Sequence, residues 1–152
     1  MLKNFFLIIL SLFLLSHCEY KPVYSDRNKV NHKIIITSFT GNEDINNIIV
    51  ANLKRSSKKN SDEIINISFD TKYKKKALAK NTAGTVTDYQ IDVVTKFNIK
   101  RKNSNENFEL NEKFNFQKMT DKYEEKNYEQ NIKKNLASSI SQKLILRLAV
   151  TE

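Results

Sequence analysis

Between Ile65 and Phe116 the hydrophobic pattern repeats at every second residue in three successive runs, and that period leaves little choice of structure. Ile65, Ile67, Phe69, Thr71 and Tyr73 alternate with Asn66, Ser68, Asp70, Lys72 and Lys74. Tyr89, Ile91, Val93, Phe97 and Ile99 share one face, opposite Asp88, Gln90, Asp92, Lys96 and Asn98. Phe108, Leu110, Phe114 and Phe116 make a third apolar face after the polar turn Lys102 to Asn107. Successive side chains of a strand point to opposite sides, so each run has one apolar and one polar face. With a turn around Asn81 to Gly84 and another at 102–107, the runs predict an antiparallel meander with one covered face.

A one-sided sheet needs a cover, and the flanking sequence supplies it. The short β-branched run from Lys33 to Phe39, closed by Gly41, predicts a strand at 33–40. Asn42 can then cap a helix with Glu43 and Asp44 in its first turn, Lys54, Arg55, Lys58 and Lys59 at its far end, and Ile45, Ile48, Ile49 and Leu53 as its buried stripe. From Thr120 to about Val150 the spacing is helical again, with Tyr128, Ile132, Leu136, Ile140, Leu144 and Leu148 four apart. Such a helix is ~40 Å long and spans the sheet. Its last turns, from Leu144 to Val150, are apolar nearly all round and must be covered on more than one side, by the domain or by a partner protein. The order β-α-β-β-β-α, with a β1 to β2 connection long enough for a crossover helix, predicts an α+β fold: a two-layer sandwich of a four-stranded mixed sheet with two helices on one face.

The N-terminus carries a different signal. Lys3 precedes an apolar run of 11 residues from Phe5 to Leu15, too short for the ~20 that cross a bilayer and suited to a secretory signal. Three residues beyond the run stands Cys18, the sole cysteine, which cannot form an internal disulfide and is a liability as a free thiol in an exported protein. The stretch Leu15-Ser16-His17-Cys18 resembles the lipobox of bacterial lipoproteins, with His17 where that pattern has a small residue. The resemblance implies lipidation of Cys18, and two or more acyl chains anchor a protein stably. Three segments follow: a signal peptide at 1–17, a lipidated tether containing the sole Pro22 at 18–32, and a single domain at 33–150. Removing the signal leaves 135 of the 152 residues, an ordinary size for one core.

Export changes what the formal net charge of +9 means. An exported chain rarely meets nucleic acid, so scattered lysines on a solvated surface are the first expectation, and anionic lipid headgroups or lipid phosphates come before nucleic acid as partners. Catalysis is not expected: His17 and His32 are the only histidines, His17 lies in the expected signal, and His32 has no second histidine or cysteine nearby in sequence to make a metal or nucleophile site. Gly41 and Gly84, the only glycines, cannot form a phosphate-cradling loop, and no cofactor is expected.

A family resemblance joins these features. The lipobox-like start Cys18-Glu-Tyr-Lys-Pro-Val-Tyr24 is followed by a strand, an amphipathic helix and three strands, of which the central one reads Gly84-Thr-Val-Thr-Asp-Tyr-Gln-Ile-Asp-Val-Val94. With the closing helix from Tyr123 to Leu148, this resembles the LPS-assembly lipoprotein family LptE. The resemblance implies an outer-membrane, lipid-anchored, periplasm-facing lipoprotein that plugs and assists assembly of the LptD β-barrel translocon and binds lipopolysaccharide during its transport to the outer leaflet. A generic lipoprotein adaptor of an envelope transporter is the alternative.

If lipopolysaccharide binds, strand directions indicate where. In a meander the end of the second strand, the start of the third and the end of the fourth share one edge. Lys74, Lys75, Lys76 and Lys80 of the expected turn then come near Lys118, Lys122 and Lys126 at the entry to the last helix. No helix terminus accounts for the turn lysines, so this cluster is the expected site for lipid A phosphates.

Overall fold

A computed structural model describes residues 30–150. The expected signal at 1–17, Cys18 and all but the last three residues of the expected tether lie outside the described residues. Six elements follow in order: β1 (Lys33–Gly41), α1 (Glu43–Ser56), β2 (Ile64–Lys80), β3 (Val86–Lys100), β4 (Asn105–Gln117) and α2 (Lys122–Val150). The strands lie in sequence order, β1 parallel to β2 and the rest antiparallel, so the sheet is mixed as the crossover helix requires. The architecture is the expected α+β sandwich with two helices over a four-stranded sheet.

Each helix forms for local reasons. The Asn42 side chain accepts from the Ile45 N–H at 3.1 Å, capping α1. Glu43 and Asp44 stand at its positive end, Lys54 and Arg55 at its negative end. Ile45, Ile49 and Leu53 are fully buried on one side. Asp121 caps α2, its carboxylate accepting from the N–H groups of Tyr123 at 2.7 Å and Glu124 at 2.9 Å.

Both helices bury their stripes on the inner face of the sheet, and the register of the strands stacks that face in rows. Phe39, Phe69, Phe97 and Phe108 form a continuous aromatic row across all four strands, with successive ring centroids 5.7, 5.5 and 5.6 Å apart. Ile65, Ile67, Ile91, Val93 and Ile99 fill the face around the row, under Ile132, Leu136, Ile140, Leu144 and Leu148 of α2. Thr71 and Thr95, both buried, satisfy each other through a 3.1 Å hydroxyl hydrogen bond.

The structure differs from the sequence expectation at three places. The fold begins before β1: Val30 is fully buried and its N–H donates to the Ser56 carbonyl at 3.0 Å. β2 runs through to Lys80, so Lys74, Lys75, Lys76 and Lys80 belong to a strand paired with β3 and not to a turn; the turn is 81–85, closed by the Asn81 N–H on the Thr85 carbonyl at 2.9 Å. Apolar alternation stops at Tyr73 but backbone pairing does not, because β3 continues to offer partners. Phe114 faces the core side yet keeps 39% exposure, since β4 is an edge strand.

Two glycines have positive φ for different reasons. At Gly41, φ is +94° and an added Cβ would lie 1.9 Å from the Thr71 carbonyl oxygen, the same oxygen that accepts from the Asn42 N–H. At Gly84, φ is +78° with open space around it. Gly41→Ala is therefore expected to destabilise by at least about 3 kcal/mol, and Gly84→Ala by about 1 kcal/mol, in urea denaturation. Equal losses would show that the close approach at Gly41 is without energetic weight.

Candidate functional site

The far ends of β2, β3 and β4 meet the start of α2, and ionisable groups converge there. Lys75 occupies an inward position of β2. Its ammonium reaches Glu125 and Glu129 of α2, each at 2.9 Å, and lies 4.3 Å from the Tyr89 ring centroid and 5.2 Å from that of Phe116. Tyr73, one inward position earlier, donates its hydroxyl to Glu129 at 2.5 Å. Lys133 completes the cluster, 3.9 Å from Glu129, 3.5 Å from Asp44 of α1 and 4.6 Å from the Tyr73 ring centroid. The Glu125 carboxylate also accepts from the Met119 N–H at 3.1 Å, fixing the turn into α2.

Protonation states follow from these contacts. Burial disfavours the Lys75 ammonium, but its hydrogen bonds to Glu125 and Glu129 outweigh that and raise its pKa. The hydrogen bond from Lys75 holds Glu125 below the ordinary carboxylate value despite burial. Burial opposes the charge on Glu129, yet hydrogen bonds from Tyr73 and Lys75 hold its pKa low as well. Tyr73 is pushed up by burial first and by Glu129 second. Lys75, Glu125 and Glu129 are thus charged at neutral pH while Tyr73 stays neutral and donates its proton in a hydrogen bond, a clasp between sheet and helix. A second clasp ties α2 to β4, where Lys143 pairs with Glu112 at 2.6 Å and the Arg147 Nε–H donates to Glu106 at 2.8 Å.

Of the six lysines expected to bind lipopolysaccharide, the structure gathers all at one end of the domain but on different faces. Lys75 is consumed by the clasp. Lys74 and Lys76 point to the opposite, outer face, paired in register with Asp92 and Gln90. Lys80 ends β2, and Lys122 and Lys126 are exposed in the first turns of α2. Lys118 joins this end through its N–H, which donates to the Thr87 carbonyl at 2.8 Å. A shallow groove of about 540 Å³ opens beside it, lined by Thr87, Asp88, Gln117 and Met119 among others. Leu78, Phe114, Tyr123 and Tyr128 are exposed at the same end by 49, 39, 74 and 38%. Free ammonium groups interleaved with exposed rings can hold an anionic amphiphile, with phosphates on the lysines and acyl chains on the apolar groups. Cys18 lies outside the described residues.

The sequence reading missed Glu125, Glu129 and Tyr73 as partners of Lys75. A signal was present: in the alternation Tyr73, Lys75, Ala77 a lysine takes an inward position, and an inward cation requires a carboxylate opposite. Another groove, of about 590 Å³, crosses the polar outer face past Ser38, Ser68, Asn98 and Asn107, where Lys96 and Glu109 form an exposed ion pair at 3.8 Å. Among the described residues no group of His, Cys, Asp and Glu could hold a metal ion, and no helix is long and apolar enough to cross a membrane.

No family model and no curated protein sequence matches the chain. Solved structures do match in fold. The rare lipoprotein B from Shewanella oneidensis is 10% identical and superposes with a TM-score of 0.52 over 72% of this chain and 93% of that one. The uncharacterized lipoprotein B from Nitrosomonas europaea is 13% identical, with a TM-score of 0.53 over 81% of this chain and 88% of that one. At such identity the likeness is one of architecture. These structural neighbours are bacterial lipoproteins, and they have the fold that the LptE-like reading of the sequence requires.

Because Glu125 and Glu129 have lowered folded-state pKa values, their stabilisation is present above the ordinary carboxylate pKa of about 4.3 and is lost as pH falls through the folded values. Lys75→Met leaves both carboxylates beside an apolar side chain, so a loss of about 2 kcal/mol is expected at neutral pH in urea denaturation, narrowing at acidic pH as both carboxylates protonate. A penalty independent of pH would mean that Lys75 acts by packing alone.

Proposed function

We propose that this chain is a lipid-anchored, periplasm-facing protein of the Gram-negative outer membrane that plugs an LptD-type β-barrel translocon, assists its assembly, and binds lipopolysaccharide on the way to the outer leaflet. The observation that carries the reading is a lone cysteine just beyond a secretory apolar run, in Leu15-Ser16-His17-Cys18, ahead of a domain whose fold recurs in bacterial lipoproteins. A lipidated cysteine removes the hazard of an unpaired exported thiol and gives the domain its membrane.

Two surfaces support the finer assignment. The α2 start offers Lys122 and Lys126 beside exposed Tyr123 and Tyr128, chemistry suited to a phosphorylated glycolipid. The α2 end leaves Leu146 at 52% and Val150 at 82% exposure, although Leu144, Ile145 and Leu148 around them are buried. That unburied half of an apolar helix end is available to a partner protein, and a barrel lumen is the partner the family resemblance implies.

Intact-mass analysis of the mature protein from membranes tests the anchor. The expected chain begins at Cys18 and carries the added mass of acyl chains; a chain starting elsewhere, or a free thiol at Cys18, would overturn it. Leu146→Asp tests the partner surface: because Leu146 is exposed, the variant should keep its thermal midpoint while recovering less of a large outer-membrane barrel in co-purification. Undiminished recovery of the barrel would show that Leu146 lies outside the interface, and recovery of an inner-membrane transporter in place of the barrel would favour the adaptor alternative.

A further inference from the structure

The two ends of the domain carry different cationic surfaces, and the point where the chain enters the core distinguishes them. Val30 is bonded to Ser56, and the Lys58 N–H donates to the His32 carbonyl at 3.1 Å, so the segment leading to Cys18 joins the domain beside the C-terminus of α1. Lys54, Arg55, Lys58 and Lys59 are exposed around that junction. Lys100 and Lys102, at the turn joining β3 to β4, are exposed at the same end, because Lys100 is paired with Asn66 at the start of β2. None of these six cations is ion-paired with a described residue. The helix dipole gives Lys54 and Arg55 a local reason to be there. It gives none for Lys58 and Lys59, beyond the helix, or for Lys100 and Lys102, on no helix at all. Ile64, 43% exposed, opens β2 at this end and adds apolar surface among the charges.

The geometry points to this end as a docking surface for the anionic phospholipid headgroups of the membrane in which Cys18 is anchored, an inference that rests on the lipid anchor proposed above. The 12 residues from Cys18 to Val30 reach at most ~40 Å when fully extended. β2 alone, 17 residues of extended chain, places its far end about 50 Å from its start. The end where the tether enters therefore meets the anchoring leaflet, and the Lys80 and Lys122 end is carried away from it. Lysines close to an anionic surface are attracted within a Debye length, so tether and charge together orient the domain. The division separates the surface that holds the membrane from the surface proposed to take lipopolysaccharide, and keeps phospholipid of the anchoring leaflet from competing at the second.

The sole cysteine makes a direct test possible. The mature chain beginning at Cys18 is coupled through that thiol to a maleimide-bearing lipid, in vesicles of phosphatidylethanolamine with phosphatidylglycerol or of phosphatidylcholine alone. Exposed lysines are then acylated with a water-soluble succinimidyl ester and read by peptide mass spectrometry. Lys58, Lys59 and Lys102 are expected to label several-fold less on the phosphatidylglycerol vesicles, with labelling restored by salt, while Lys76, Lys80 and Lys122 label equally on both. Equal protection at both ends, protection only at the Lys80 end, or no dependence on anionic lipid would overturn the assignment. Since the anchor here is chemical, failure of natural lipidation in the mass analysis and failure of this surface are scored separately.

Discussion

The inner face of the sheet holds Ile65, Ile67, Phe69, Ile91, Val93, Phe97 and Ile99, all at 5% exposure or less, and the outer face of the same strands holds Asn66, Ser68, Asp70, Asp92, Lys96 and Asn98. Each fully buried aliphatic or aromatic side chain is worth about 1.5–3 kcal/mol relative to exposure, so the uncovered sheet would not persist in water. Everything else follows from covering that one face. The parallel pairing of β1 and β2 forces a crossover, which becomes α1; the exit of β4 at the far end sends α2 back along the whole sheet. The ion pairs come after: Lys75 with Glu125 and Glu129, and Glu112 with Lys143, fix where along its axis α2 lies on a face already buried.

Most of this architecture was legible because the chain changes period cleanly. Alternation at two through Ile65–Tyr73 and Tyr89–Ile99, and spacing at four through Ile132–Leu148, report which face each element buries, and burial is the larger energy. The Asn42 cap was legible for a local reason, its side chain satisfying an N–H three residues on. What was not legible depends on cross-strand partners. Nothing within Lys74–Lys80 says that it pairs with Val86–Asp92, since lysine and alanine carry little strand preference. Val30 reads as tether until the Ser56 carbonyl that binds it is known.

The candidate site was half legible. Strand directions alone bring Lys74–Lys80 to the end where Lys118, Lys122 and Lys126 stand, and the structure has them there. Alternation then divides them: Lys75 turns inward to two glutamates, Lys74 and Lys76 turn outward, and the exposed cations flank Tyr123 and Tyr128 on the helix. In the proposed reading the domain therefore has polarity along its long axis, with a membrane-proximal end at the tether junction and a ligand-facing end at the α2 start. The exposed Leu146, near the proximal end, is where a surrounding barrel would grip it.

That reading depends on a barrel partner, and depletion of the protein from its own cells tests it most directly. The amount of folded LptD-type barrel in the outer membrane, measured by its heat-modifiable migration, is the quantity to follow as this protein is withdrawn. The account predicts that the folded barrel declines with it while unrelated outer-membrane barrels are maintained. A folded barrel that persists at its original level after the protein is gone would contradict the account.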